Sequence, residues 1–203
     1  MAIGYGVSGP PRLAGPGVVI GQDSAPDART VLRLIISRAQ SVSLAIDGIR
    51  LAAIDFAEDD LSVVQRCRVV LGRFDNVALL GAVETAANTP GHASHIGVLR
   101  GFLMSGRAEI RSAGARRWSP DFCVARGPAL ARWFDGGAVA LVGYLGLGAI
   151  NPHTGPRLTC VISGSGPVAT VARNFEQLWG AGHDILGVVG EAFGRQRNGR
   201  HRA

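Results

Sequence analysis

The sequence predicts an α/β domain, a mixed sheet flanked by helices, and two observations predict it. Between Ser24 and Ala113, helix-like and strand-like runs alternate, the order expected of parallel strands joined by crossover helices. Between Phe122 and Tyr144, short apolar runs follow one another with only Gly-Pro and Asp-Gly-Gly between them, the order of an antiparallel meander. A chain of 203 residues, 47% hydrophobic and 18% charged, can bury a core of that size.

The elements follow in order. Residues 1–23 hold six glycines and three prolines and read as an irregular arm with a short strand at Val18-Val19-Ile20. Ser24 or Asp27 caps a helix whose apolar positions are Val31, Leu34, Ile35 and Ala39. A strand runs from Val42 to Ile46. The spacing of Leu61, Val64, Cys67 and Leu71 predicts a helix over Asp60–Arg73, and Val77–Leu80 reads as a strand. After a loop at Asn88-Thr89-Pro90-Gly91 comes a helix with Ile96, Leu99, Phe102 and Leu103, ending at Gly106. Ala108–Ala113 is a strand. The meander consists of Phe122–Ala125, Ala129–Phe134 and Ala138–Tyr144. A strand at Leu158–Ile162 feeds a helix that Pro167 opens and that ends at Gly180. A last helix covers about Ile185–Phe193. No internal repeat is present.

All 21 basic residues are arginine, so chemistry that depends on a lysine is excluded. The net charge is +6, and Arg195, Arg197, Arg200 and Arg202 in the last nine residues supply most of it, leaving +2 for residues 1–194. The chain therefore divides into an arm (1–23), a domain (24–194) and a basic tail (195–203). The N-terminus lacks a basic stretch followed by an apolar run, and the uncharged run from Gly136 to Pro156 is too broken by glycine and proline for a membrane span. A cytoplasmic location is expected by default, with no membrane partner. Cys67, Cys123 and Cys160 are widely spaced in apolar surroundings and read as buried free thiols.

Several constellations suggest chemistry and are weighed against simpler roles. Gly164-Ser165-Gly166-Pro167-Val168-Ala169 fits a dinucleotide fingerprint formally, but no acid-ended strand follows and Pro167 removes a backbone donor, so a tight strand–helix turn is expected. His92 and His95 lack a third ligand, and Ser119 lacks a nucleophile elbow. No metal or cofactor is expected. Trp118, Trp133 and Trp179 read as core or interface residues, although Trp118 beside Arg116-Arg117 suits stacking on a base or sugar. Arg107, Arg111, Arg116, Arg117 and Arg126 gather in one stretch and, with the tail, make a candidate phosphate-contacting surface.

The element order, with Gly143 late in an alternating strand and Phe175-x-x-Leu178-Trp179 in the closing helix, resembles one half of the phospholipase D-like superfamily over about residues 27–184. The resemblance implies a site built on a His, a Lys two positions on and an Asp five beyond, with a Gly-Ser pair and an Asn on a neighbouring strand. Ser119, Asp121 and Arg126 stand at the first three positions, and Tyr144 replaces the serine after Gly143. With neither the imidazole nucleophile nor the phosphate-holding lysine, catalysis is expected to be lost. The expected role is a binding or regulatory module, similar to the effector-sensing domains beside helix-turn-helix segments in some prokaryotic transcription regulators, with Ser119, Asp121, Arg126 and Tyr144 lining a ligand cleft. No helix-turn-helix is legible in this chain. Family halves meet a second half across the site, so a homodimer or a related partner chain is expected. Two alternatives stay open: nucleic-acid association through Arg107, Arg111, Arg116, Arg117 and the tail arginines, and a residual phosphodiesterase.

Overall fold

The computed structural model describes residues 17–21, 27–54, 56–89, 93–114, 121–145 and 158–194. Its strands are β1 (Gly17–Ile20), β2 (Ser41–Asp47), β3 (Arg66–Gly72), β4 (Ala108–Ser112), β5 (Phe122–Arg126), β6 (Ala138–Gly143), β7 (Thr159–Ile162) and the two-residue β8 (His183–Asp184). Its helices are α1 (Ala28–Ile36), α2 (Glu58–Leu61), α3 (Asn76–Asn88), α4 (Ala93–Leu103), α5 (Ser165–Ala181) and α6 (Leu186–Gly194). The strands form one eight-stranded sheet in the order β1-β7-β6-β5-β2-β3-β4-β8. β2, β3 and β4 are parallel, and every other pairing is antiparallel. The α/β class and the mixed sheet are therefore those the sequence predicts.

Alternation sorts the side chains onto two faces. Val42, Leu44 and Ile46 of β2, Cys67, Val69 and Leu71 of β3, and Ile110 of β4 join the large core shared with α1, α3, α4 and α6. Among the described residues, the opposite face is covered by α5 alone. Its Val168 packs on Val124 and Ala140, while Phe175 and Trp179 pack on Ala45, Val70 and Phe122. Arg111 then donates from Nη1 to the Trp179 carbonyl at 2.8 Å, which ties the end of α5 to β4. The helix thus crosses the sheet on a diagonal from β6 towards β4.

Three elements differ from the sequence reading. Arg66–Gly72 is a strand, not part of a helix over Asp60–Arg73: the spacing that suggested a helix also fits alternation of Cys67, Val69 and Leu71, and burial between two parallel neighbours decides for the strand. Val77–Leu80 lies inside α3, because Asp75 accepts hydrogen bonds from the Val77 and Ala78 amides at 2.8 and 3.2 Å and caps a helix there. The middle run of the meander is a 3-10 turn over Pro128–Arg132, with Pro128 opening it. In α1, which Asp27 caps through the Thr30 amide at 2.7 Å, the buried stripe is Ala28, Leu32, Ile35 and Ile36, so Val31 and Leu34 are only half-buried. The two-residue β8 carries no periodic pattern and was not legible. Of the loop at Asn88–Gly91, Asn88 ends α3, while Pro90 and Gly91 lie outside the described residues.

Candidate functional site

At the carboxyl ends of β2 and β3 two carboxylates are buried side by side. Asp47 closes β2, and Asp121 enters β5 antiparallel to it; they are 4% and 3% exposed. The Asp47 amide donates to Asp121 Oδ1 at 3.1 Å, so the two residues share one network. Among the described residues Arg50, from the 3-10 turn Gly48–Ala53 that follows β2, pairs with Asp121, and Arg73, just past β3, pairs with Asp47. The acids are buried while their partners reach out, Arg50 being 38% and Arg73 62% exposed at the side chain. A buried carboxylate is costly unless paired and hydrogen-bonded, and each of these two is paired with an arginine whose side chain remains partly exposed.

The backbone is shaped to allow it. A Cβ on Gly48 would stand 3.1 Å from the Phe74 Cα and 3.2 Å from the Gly72 carbonyl, so a larger residue would require the backbone there to give by a few tenths of an ångström. Arg73 has φ +47°, unusual for a residue with a side chain and typical of strained functional positions. Its amide is held by the Gly114 carbonyl at 3.2 Å. On the β5 side, the Gly143 amide donates to the Asp121 carbonyl at 2.8 Å, and Gly143 has φ +116° where a Cβ would strike the Leu158 carbonyl. Tyr144 follows; its amide donates to Leu158 at 3.0 Å, and its carbonyl accepts from the Thr159 hydroxyl.

The structure brings together two of the four cleft residues expected from the sequence. Asp121 and Tyr144 lie at the same end of β5 and β6. Arg126 does not join them: it ends β5, opposite Ala138 and Ser41, at the far edge of the sheet. Ser119 lies outside the described residues, as do Arg116, Arg117, Trp118, His92, Arg195, Arg197, Arg200 and Arg202. Asp121 does not put a bare negative charge in the crevice, since Arg50 covers it. Sequence reasoning missed Asp47, Arg50 and Arg73. The signal available was an acid ending a strand with arginine three residues on, and it is too common to single out without the fold.

The expected arginine surface is divided. Arg107 donates to the Val64 carbonyl at 3.1 Å and lies 4.9 Å from the centre of the Phe102 ring, closing the loops below β3 and β4. Arg111 lies 4.5 Å from the Trp179 ring centre, on the α5 face. Both guanidiniums serve the fold. Trp179 is core, and Trp133 packs half-buried against the core with Arg38 4.7 Å from its ring centre. The thiols of Cys67 and Cys123 are buried; burial pushes Cys67 up to about 12 and Cys123 up also, with Cys67 adding to the latter. Cys160 is a half-buried free thiol. Gly164 precedes α5 with φ +88°, the tight strand–helix turn expected. Among the described residues no cluster of three His, Cys, Asp or Glu could hold a metal ion, and no helix is long and apolar enough to cross a membrane.

No family model matches the chain, and no curated protein matches it. Among solved structures it is similar to TrmBL2, an archaeal chromatin protein described with a novel mode of DNA binding, at 12% identity and a TM-score of 0.49 over 85% of this chain. It is also similar to Nuc, a phospholipase D family member from Salmonella typhimurium, at 11% identity and a TM-score of 0.48 over 83% of this chain and 97% of that one. The chain spans about half the length of TrmBL2, 54% of it.

Proposed function

We propose that this chain is a non-catalytic binding module, a single phospholipase D-like half that holds a small anionic ligand in the crevice between Arg50 and Arg73. The observation that carries the reading is the pair of buried carboxylates, Asp47 and Asp121, each fixing a guanidinium that remains 62% or 38% exposed. A guanidinium has five N–H donors, so one that gives part of them to an anchor still offers a fork to a phosphate or carboxylate. The crevice lies beyond the carboxyl ends of parallel strands, where ligands of open α/β sheets bind. The chain has no lysine, and Ser119 stands where the resemblance implies the nucleophilic histidine, which together support binding without turnover. The ligand acts as an effector, and the protein is a cytoplasmic regulatory module that works through a partner.

The same reading includes self-association. The outer edge of β1 pairs with no strand among the described residues, and its Val18 and Val19 are 40% and 61% exposed, a surface suited to a second copy. Sedimentation at high concentration showing only monomer would contradict that part.

The experiment is calorimetric titration of the full chain with inorganic pyrophosphate, run beside an assay for hydrolysis of bis(p-nitrophenyl) phosphate. Saturable binding weakened about tenfold by Arg50→Ala or Arg73→Ala, the loss of one charge-assisted contact, with no hydrolysis, is the expected result. Hydrolysis that disappears in Asp121→Ala would restore the phosphodiesterase alternative.

A further inference from the structure

Among the described residues, the diagonal path of α5 leaves the outermost row at the amino-terminal edge of the parallel strands open on its face, while the row behind it is largely buried, and the residues there are not a random polar surface. In one register row Arg126 of β5, Ser41 of β2 and Arg66 of β3 stand side by side; in the next row stand Val124, Ser43 and Arg68. Because Val42 and Leu44 point into the large core, Ser41 and Ser43 point to the α5 face. The floor is therefore two serines on the central strand, with arginines on both neighbours. Neighbouring strands are about 4.8 Å apart, so Arg126 and Arg66 straddle β2 at roughly 10 Å, a span long side chains close easily.

Several details mark this floor as more than a solvated edge. Ser43 is 6% exposed, yet its hydroxyl makes no hydrogen bond among the described residues. Among the described residues no fully buried side-chain oxygen lacks a partner, so this hydroxyl keeps some solvent access. Arg126 is exposed, and its guanidinium has no acceptor among the described residues. Arg68 is fixed: it stacks 5.0 Å from the Phe175 ring centre and 5.2 Å from that of Trp179, and it holds Glu176 through Nη1 at 3.0 Å and through Nη2. Arg66 is steadied by Glu109 through Nε and Nη2 at 3.2 and 3.1 Å. Each of these two gives two of its five N–H groups to its carboxylate and keeps three. The Glu176 carboxyl is held below its ordinary range mainly by its hydrogen bond with Arg68, with Arg126 and Arg66 adding to it, so the three cations share one neighbourhood.

We infer that this groove, formed by Ser41, Ser43, Arg66, Arg68 and Arg126, is a second anion site that takes a phosphate group, distinct from the Arg50–Arg73 crevice at the other end of the same strands. The chemistry is a tetrahedral oxyanion: Arg126 and Arg66 offer donor forks from two sides, and the Ser43 hydroxyl donates from below. The two carboxylates anchor Arg66 and Arg68 and leave the groove a net positive charge. Such a phosphate is presented either by a nucleic-acid strand or by a small phosphorylated molecule, and the chemistry at the groove is the same.

The test titrates the full chain with a labelled single-stranded oligothymidylate and, separately, with inorganic pyrophosphate, in wild type and in Arg126→Ala, Ser43→Ala, Arg50→Ala and Arg29→Ala. Arg126 makes no side-chain contact the fold needs, and Arg29→Ala removes the same charge on α1. The expected result is that at least one probe binds, that Arg126→Ala weakens it about tenfold and Ser43→Ala by less, and that Arg29→Ala leaves it unchanged. Arg50→Ala must leave this component of binding in place, so failure of the crevice and failure of the groove are read separately. Oligothymidylate binding with a steep salt dependence assigns the phosphate to a nucleic-acid strand; pyrophosphate binding alone assigns it to a small molecule. Absence of binding by both probes, or equal losses in Arg126→Ala and Arg29→Ala, overturns the inference.

Discussion

Replacing Arg50 by methionine removes one partner of a pair whose other member cannot reach water. The Asp121 side chain is 2% exposed, whereas that of Arg50 is 38% exposed, so the cost falls on the carboxylate left behind. Breaking a buried pair in this way costs about 3–5 kcal/mol, and the open side of Arg50 places this one near ~3 kcal/mol. For a chain of this size that lowers Tm by about 6–12 °C. Asp121→Asn made in the Arg50→Met background should restore most of the loss, because an amide keeps an acceptor for the Asp47 amide and carries no charge; the double variant should sit within about 1 kcal/mol of wild type. Thermal and urea denaturation of the two single variants and the double variant measure this directly. An Arg50→Met variant that melts with wild type, or a double variant no better than the single, would show that the carboxylate is not held by this arginine.

Gly127→Ala should destabilise by about 1–3 kcal/mol in urea denaturation, since its Cβ would lie 2.8 Å from the Arg38 carbonyl and 2.9 Å from the Gln40 amide, both backbone atoms that cannot swing away. Gly101→Ala, in the middle of α4 with open space around it, should instead stabilise by about 0.5–1 kcal/mol. For Glu176 the folded carboxyl lies below its ordinary value of 4.5, chiefly through its hydrogen bond with Arg68, so its contribution is complete above that value and lost as pH falls through the lowered one. Because the side chain is 52% exposed, that contribution is at most about 1 kcal/mol. The stability gap between wild type and Glu176→Gln, followed by urea denaturation from neutral pH downwards, should close in the acid range; a gap independent of pH would refute the pairing.

Much of the fold was legible because burial on one face leaves a period. Ile96, Leu99, Phe102 and Leu103 announce α4, and the alternation of β6 survives its glycines. The period fails where a strand is buried on both faces. In β3, Val69, Val70 and Leu71 are all buried, and the flanking Leu61 and Val64 complete a false helical stripe. It fails also where a cap overrides propensity: Asp75 starts α3 at residues whose β-branching and bulk suit a strand. The candidate crevice was half legible. Asp121 and Tyr144 follow from the position of β5 and β6, but Asp47, Arg50 and Arg73 come from separate segments that only the parallel pairing of β2 and β3 brings together. Arg126 was assigned by spacing along one strand, and a strand of five residues carries its two ends to opposite edges of the sheet.

The central claim is that Arg50 and Arg73 together receive an anion, and the most direct measurement is an amide-resolved NMR titration with inorganic pyrophosphate. The account predicts saturable shifts at Asp47, Gly48 and Gly114, all adjoining the two arginines, and their loss in both Arg50→Ala and Arg73→Ala. Saturating pyrophosphate that leaves those three amides in place, or shifts that persist in both variants, would contradict it.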